Sequence, residues 1–442
     1  MFRLYSPLLV LFSFIFFSSH SLYCQDGEVE KYQRSSLSMI VVPNNSTPDQ
    51  QLVNTLWSNY PFPDLYNNHN TDVLALSFDD IVLTQSEKES FNLYDDTLSG
   101  LKYKLNKALA LDAATGVVIR EVSPDAEGKP RCVLEPNKKE TLPFRVEKSL
   151  NSNKIANKLV AKWFGYDGSS FNSELIAERG LYNASMLDTK IAMDQTTGTD
   201  ALTIAGFDLI SNTFLTVTSL QFFENEPAAR LIKEAIYNAK ETNELKQMAA
   251  DKIYEKTKDG YTLGSFTRLY QLVWNDSISS LFYDEVWSNP QSIMEVDYLQ
   301  VKLINAQANV STVMVSGNKT KEEIIQLALY RNIDNCFVKL QKQNEVFKPS
   351  VPLIGADPLR ASIGMKEGLT GGEKFQVYEL VLDQETGETT YEEKGTIKVD
   401  KKNIWDNRYS MVDDTQEDDS PKYTQFKGSK NLLPGMLIKL IK

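Results

Sequence analysis

Two histidines in 442 residues, His20 and His69, set the first limit on the chemistry open to this chain. A Ser/His/Asp triad needs an imidazole to take the serine proton, and His-rich zinc sites or two-His, one-carboxylate sites need several. His20 lies in an N-terminal segment that reads as an export signal, so the mature chain offers one imidazole, in Tyr66-Asn-Asn-His-Asn-Thr71. Its polar neighbours make His69 read as a surface loop residue rather than a general base. Ser99-Gly-Leu-Lys102 and Ser316-Gly-Asn-Lys319 both match the Ser-x-x-Lys of penicillin-recognising enzymes, in which lysine activates serine. The companion Lys-Thr-Gly is missing, and a chain rich in Ser and Lys produces such matches by chance.

Carboxylates are plentiful and therefore uninformative, since any two of 59 acids could meet at the separation that glycoside hydrolysis requires. Glu174, Glu178 and Arg179 stand out because they fall at the end of an expected strand, where α/β sheets often bind ligands. An ion pair supporting the turn at Gly180 is the favoured account of them. Asp413-Asp-Thr-Gln-Glu-Asp-Asp419 lacks the glycine and terminal glutamate of a calcium hand and reads as a solvated acidic loop. Thr370-Gly-Gly-Glu-Lys374 lacks the glycine spacing and the following helix of a phosphate loop, which leaves a turn. Trp163, Trp274, Trp287 and Trp405 could stack on sugars, although Trp163 sits on an apolar helical stripe and reads as core. No catalytic, cofactor-binding or metal-ligating residue is assigned.

The elements that would position any site begin after an export signal. Arg3 gives a positive start, Leu8 to Phe17 an apolar run about half as long as a membrane span, and Ser18 to Cys24 a polar end. Cleavage is expected between Cys24 and Gln25; an acylated Cys24 is the alternative, against which bulky Tyr23 weighs. No later stretch is apolar enough to span a bilayer. Cys132 and Cys336 then remain, and read as two separate buried thiols rather than a disulfide framework. A net charge of −12 argues against nucleic acid and acidic lipid, whose binding needs a surplus of Lys and Arg. Six Asn-x-Ser/Thr triplets, starting at Asn44, Asn45, Asn183, Asn275, Asn309 and Asn318, would matter only in a eukaryotic secretory route.

Ser36 to Val42 is a near-continuous apolar run and reads as a strand buried on both faces, with a short helix over Asp49 to Ser58. Residues 65–150 are weakly patterned, with strands at Val73 to Phe78 and Val117 to Val122 and a helix at Leu98 to Leu111, and read as an insertion. Ile155, Leu159, Val160, Trp163 and Phe164 recur at helical spacing, behind candidate caps Asn151, Ser152 and Asn153. A strand over Glu174 to Gly180 and a helix over Thr199 to Ile210 follow, in which Gly206 allows close approach to a neighbour. Thr213 to Phe223 is a strand whose apolar parity changes near Thr218 and Ser219, which predicts a bulge. One long helix is expected over Pro227 to Thr257 and another over Lys319 to Val346. Between them come Tyr261 to Trp274, Leu281 to Trp287, Met294 to Leu303 and Ala308 to Val315, all read as strands. From Lys348 to the end, short alternating strands separated by Gly-rich turns predict a small closed or nearly closed barrel.

Strand, helix, a strand ending in Ala177-Glu-Arg-Gly180, helix and strand together resemble the N-terminal α/β domain of the Tol translocation protein and the related domain of the curli-secretion lipoprotein. Ile363-Gly-Met-Lys-Glu-Gly-Leu369 before Phe375-Gln-Val-Tyr378 resembles the small barrel that follows such a domain in a flagellar basal-body ring protein, and the pairing is similar to a class of secreted bacterial envelope proteins.

The expected fold is thus α+β or α/β: a two- or three-layer mixed-sheet domain with a long insertion, followed by a small C-terminal β-barrel. The boundaries are a signal peptide at 1–24, leader with first strand and helix at 25–64, insertion at 65–150, main α/β domain at 151–347 and barrel at 348–442. The resemblance implies a non-enzymatic exported protein, periplasmic or associated with the outer membrane, peripherally or through a lipid, whose partners are other envelope proteins. The alternative is a secreted carbohydrate-binding protein or carboxylate-pair glycoside hydrolase. No cofactor, nucleic acid or transmembrane helix is expected.

Overall fold

The computed structural model describes residues 35–42, 50–63, 65–76, 83–86, 141–172, 174–176, 206–207, 209–239, 242–314, 320–382, 389–408 and 422–441. Strand β1 (Ser35–Val42) is buried over all but its first residue. It pairs in parallel with β2 (Tyr66–Asn68) on one side and with β3 (Thr213–Glu224) on the other. Strands β4 (Gly260–Leu272) and β5 (Val301–Met314) continue antiparallel, giving the mixed order β2-β1-β3-β4-β5.

Both faces of this sheet are covered, so the domain has three layers. On one face, α1 (Gln50–Ser58) and a long helix, Lys321–Gln343, pack Val53, Leu56, Trp57, Ile325, Leu329 and Phe337 against Leu37, Met39, Phe214 and Leu269. On the other, α2 (Thr141–Ser152) and α3 (Ile155–Trp163) pack Val146, Leu150, Ile155 and Leu159 against Ile40, Val42, Leu215 and Val217. An aromatic core around Phe164, Trp274 and Phe282 closes the end beyond α3.

The two-faced burial explains the change of parity in β3. Leu215 and Val217 serve the α2–α3 face, whereas Phe214, Leu220 and Phe222 serve the opposite one. The β3–β4 register runs unbroken from Phe214 to Glu224, so the expected bulge at Thr218 is not there. It occurs instead between Leu269 and Tyr270, where Ile304 on β5 is the extra residue. That slip makes β5 look like two strands in sequence, at Met294 to Leu303 and Ala308 to Val315, although Pro290–Met294 is a 3-10 turn and the strand begins only at Val301.

Other elements differ for local reasons. The helix expected over Pro227 to Thr257 is two: α4 (Asn225–Tyr237) and α5 (Glu244–Thr257), broken where the Asn243 side chain accepts from Lys246 N at 2.9 Å and starts a new helix. Leu281 to Trp287 is helical, not a strand: α6 (Asp276–Leu281) begins at Asn275, whose side chain caps Ile278 N at 3.0 Å, and runs into a π-turn, Phe282–Val286. Phe282 and Val286, four residues apart, are both buried, a helical spacing read as alternation. Glu174 to Ile176 is a helical turn and adds no strand to the sheet; Glu178, Arg179 and Gly180 lie outside the described residues. Helix α3 starts at Lys154, left-handed at φ 51°, with no side-chain cap. Asn153 instead donates to Ser149 O at 2.8 Å and belongs to the end of α2. Gly206 meets its expected neighbour, since a Cβ there would collide with the Ile176 carbonyl.

Helix α7 (Lys321–Gln343) begins at a capping box, in which Thr320 Oγ1 accepts from Glu323 N and Glu323 accepts from Thr320 N. Beyond it six antiparallel strands form a closed barrel in the order β10-β7-β6-β11-β8-β9, with β10 also paired to β9. They are β6 (Ser350–Ala356), β7 (Leu359–Ala361), β8 (Lys374–Leu382), β9 (Thr389–Val399), β10 (Thr424–Gly428) and β11 (Leu437–Leu440). Val351, Leu353, Ala361, Phe375, Val377, Ile397, Val399 and Ile438 fill it. Ile363, Met436 and Leu440 are buried there as their alternation predicts.

Candidate functional site

His69 is not a surface residue. It is 1% exposed, its backbone N donates to Leu37 O at 2.9 Å, and Nε2 donates to Leu159 O at 2.8 Å. Its ring stacks on Trp163 at 4.7 Å, so the one imidazole is fastened between the sheet edge and α3. The polar run around it belongs to β2 and the chain leaving it, which the sequence pattern alone could not place beside β1.

Trp163 is core, as expected: it is fully buried and its Nε1 donates to Thr213 Oγ1 at 2.7 Å. Trp274 and Trp287 are half-buried in the aromatic core, Trp287 stacked on Phe171 at 5.4 Å. Trp405 is half-buried in the barrel, where its N donates to Thr424 Oγ1 at 3.0 Å. Glu174 is exposed at the start of a helical turn. Thr370 to Lys374 is a turn into β8, organised by Glu373, which accepts from Thr370 N and Gly371 N. Cys336 is a free buried thiol 3.0 Å from Ser265 Oγ, and burial pushes its pKa up. Cys24, Cys132, both Ser-x-x-Lys runs and Asp413 to Asp419 lie outside the described residues. Among the described residues no cluster of His, Cys, Asp and Glu could hold a metal, and no helix is long and apolar enough to cross a membrane.

Two carboxyls that the sequence did not single out come together where α7 meets the barrel. Asp334 accepts from Tyr60 OH at 2.5 Å. Glu367, in the short 3-10 helix Met365–Glu367, accepts from Gly364 N at 2.8 Å and Asn407 Nδ2 at 2.9 Å. Burial holds both carboxyl pKa values above their ordinary range. The cavity between them is about 10 Å³, enough for at most one water and not for a sugar. Their sequence signal is an acid on an apolar helical stripe, Tyr330, Asp334, Phe337 and Gln341. A larger hollow of about 190 Å³ lies nearby, below the size of ordinary ligand pockets. There Glu345 bridges Lys348 at 2.7 Å and Lys439 at 2.8 Å, and these hydrogen bonds lower its pKa.

Among the described residues, the α4–α5 hairpin gathers several exposed apolar side chains. Along its two helices only Asn225, Ala229 and Ala250 are buried. The helices are joined by polar staples: Lys233 to Asp251 at 2.8 Å, Tyr237 to Asp251 at 2.9 Å, and Tyr254 to Glu226 at 3.0 Å. The Lys233 hydrogen bond, then that of Tyr237, holds the Asp251 carboxyl below its ordinary range. With the inner seam made of alanines and staples, four large apolar side chains are exposed: Leu231 is 48% exposed, Leu245 79%, Met248 56% and Ile253 45%. Apolar groups gathered on one element mark contact sites more often than single exposed residues do.

No protein-family model matches the chain, and no curated protein matches it.

Proposed function

We propose that this is a non-enzymatic protein, exported through its N-terminal signal to the periplasm or the outer membrane, that acts by contact with other envelope proteins. The observation that carries this reading is the α4–α5 hairpin with Leu231, Leu245, Met248 and Ile253 facing solvent. Protein interfaces centre on such apolar groups. The buried His69 and the narrow space between Asp334 and Glu367 fit a structural use of the groups that could otherwise have served catalysis.

The test is site-specific photocrosslinking from positions 245 and 248 in native envelopes, comparing the wild type with Leu231→Glu/Ile253→Glu. The wild type should form a discrete protein adduct that this double variant loses. Equal labelling of both, together with retention of the chain on a glycan column, would overturn the reading in favour of carbohydrate binding.

A further inference from the structure

The barrel and the sheet domain meet across an ionisable joint. Leu65 packs against both hydrophobic cores, while Tyr60, Asp334 and Glu367 line the gap beside it. The groups facing the two carboxyls are Tyr60 and Tyr66 from the segment after α1, Tyr330 from α7, and Lys366 from the barrel. Lys342 of α7 adds a bond from its Nζ to Gly368 O at 2.9 Å. Lys366 Nζ sits 5.8 Å over the Tyr60 ring.

Asp334 is 9% exposed and Glu367 8%, and among the described residues neither forms an ion pair. An unpaired buried carboxylate is costly, whereas the neutral acid is tolerated and can also donate a hydrogen bond. Backbone geometry keeps the parts close. Gly368 takes φ 83°, and a Cβ on it would run into Val338 of α7, so the barrel's 3-10 turn sits directly on the helix.

We propose that this joint is a proton-operated latch: with Asp334 and Glu367 neutral the barrel is clamped onto α7, and with both ionised the clamp loosens. Burial is the largest influence on both carboxyls and favours the neutral form, outweighing the opposing Tyr60, Asn407 and Gly364 hydrogen bonds and the attraction of the Lys366 charge. Because the folded-state pKa values are raised, the stabilisation is complete below the ordinary carboxyl range, and it is lost as pH rises through the folded values. Acidification therefore tightens the joint. The Tyr60 and Tyr66 hydroxyls, whose pKa values burial raises, stay neutral throughout and contribute no opposing charge.

Hydrogen exchange of the full chain, normalised to intrinsic rates, tests the latch at about pH 5 and about pH 8, because ordinary carboxyls are largely ionised at both values and only raised ones change charge between them. In the wild type, opening of residues 363–369 and 60–66 should rise by about tenfold or more across that range, while β3 and α3 stay unchanged. In Asp334→Asn/Glu367→Gln, which is neutral at both values, the rise should fall below about twofold. If the double variant does not fold, Asp334→Asn alone should still reduce the rise. Equal protection of the wild-type joint at both pH values, a pH response spread evenly over all segments, or an undiminished response in the variants would each overturn the proposal.

Discussion

Helix α7 and the α4–α5 hairpin are similar in length and residue type, yet they relate to water in opposite ways. Thirteen of the 23 residues of α7 are buried, because it lies between the sheet on one side and the barrel's 3-10 turn on the other. The hairpin touches little beyond itself and buries two alanines and one asparagine. Helix stability in a protein comes mainly from tertiary packing of an apolar face, so α7 is held by its surroundings and the hairpin by its caps and staples. An apolar side chain on α7 therefore serves the fold, and one on the hairpin is free to serve a partner.

Truncation within α7 should produce the largest effect. Phe337 packs beside Tyr66 and Phe347, and Phe337→Ala should cost about 3–5 kcal/mol in a denaturant titration. Next comes the contact between α7 and the barrel. Gly368→Ala forces a Cβ into a left-handed turn against Val338 and should lower stability by about 1–3 kcal/mol, with the loss of protection greatest at residues 363–369. At the hairpin the cap is the weak point, and Asn243→Ala should cost about 1 kcal/mol, seen as faster exchange in α5 with β3 unaffected.

Smallest of all should be Leu245→Glu/Met248→Glu. On exposed positions it should shift global stability by no more than about 0.5 kcal/mol while abolishing partner contact. A large stability loss in this variant would erase the distinction between the two helical regions, because it would show the hairpin's apolar groups to be packed.

Several elements were legible because their pattern states their burial. The near-continuous apolar run of β1 announced a strand covered on both faces, and Ile155, Leu159, Val160 and Trp163 announced α3. The alternation of Phe375, Val377, Ile397 and Val399 announced the barrel. Others were misread where one pattern has two physical causes. In β3 the switch of apolar parity came from two buried faces rather than a bulge, and Phe282 and Val286 fit a helical turn as well as a strand. The motif Ile363 to Leu369, singled out for its resemblance to a small barrel, owes its form to the joint: Gly368 gives way to α7 and Glu367 satisfies Gly364 N.

By itself the sequence determined the mixed-sheet domain, the terminal barrel, the apolar N-terminal segment and the poverty in histidine, because composition and periodicity are local properties. Only the tertiary structure decided that His69 is enclosed beside Trp163, that Asp334 and Glu367 share one joint, and that the apolar groups of α4 and α5 face outward. Those facts depend on which distant surfaces meet, and a residue's type carries no record of its neighbours across the fold.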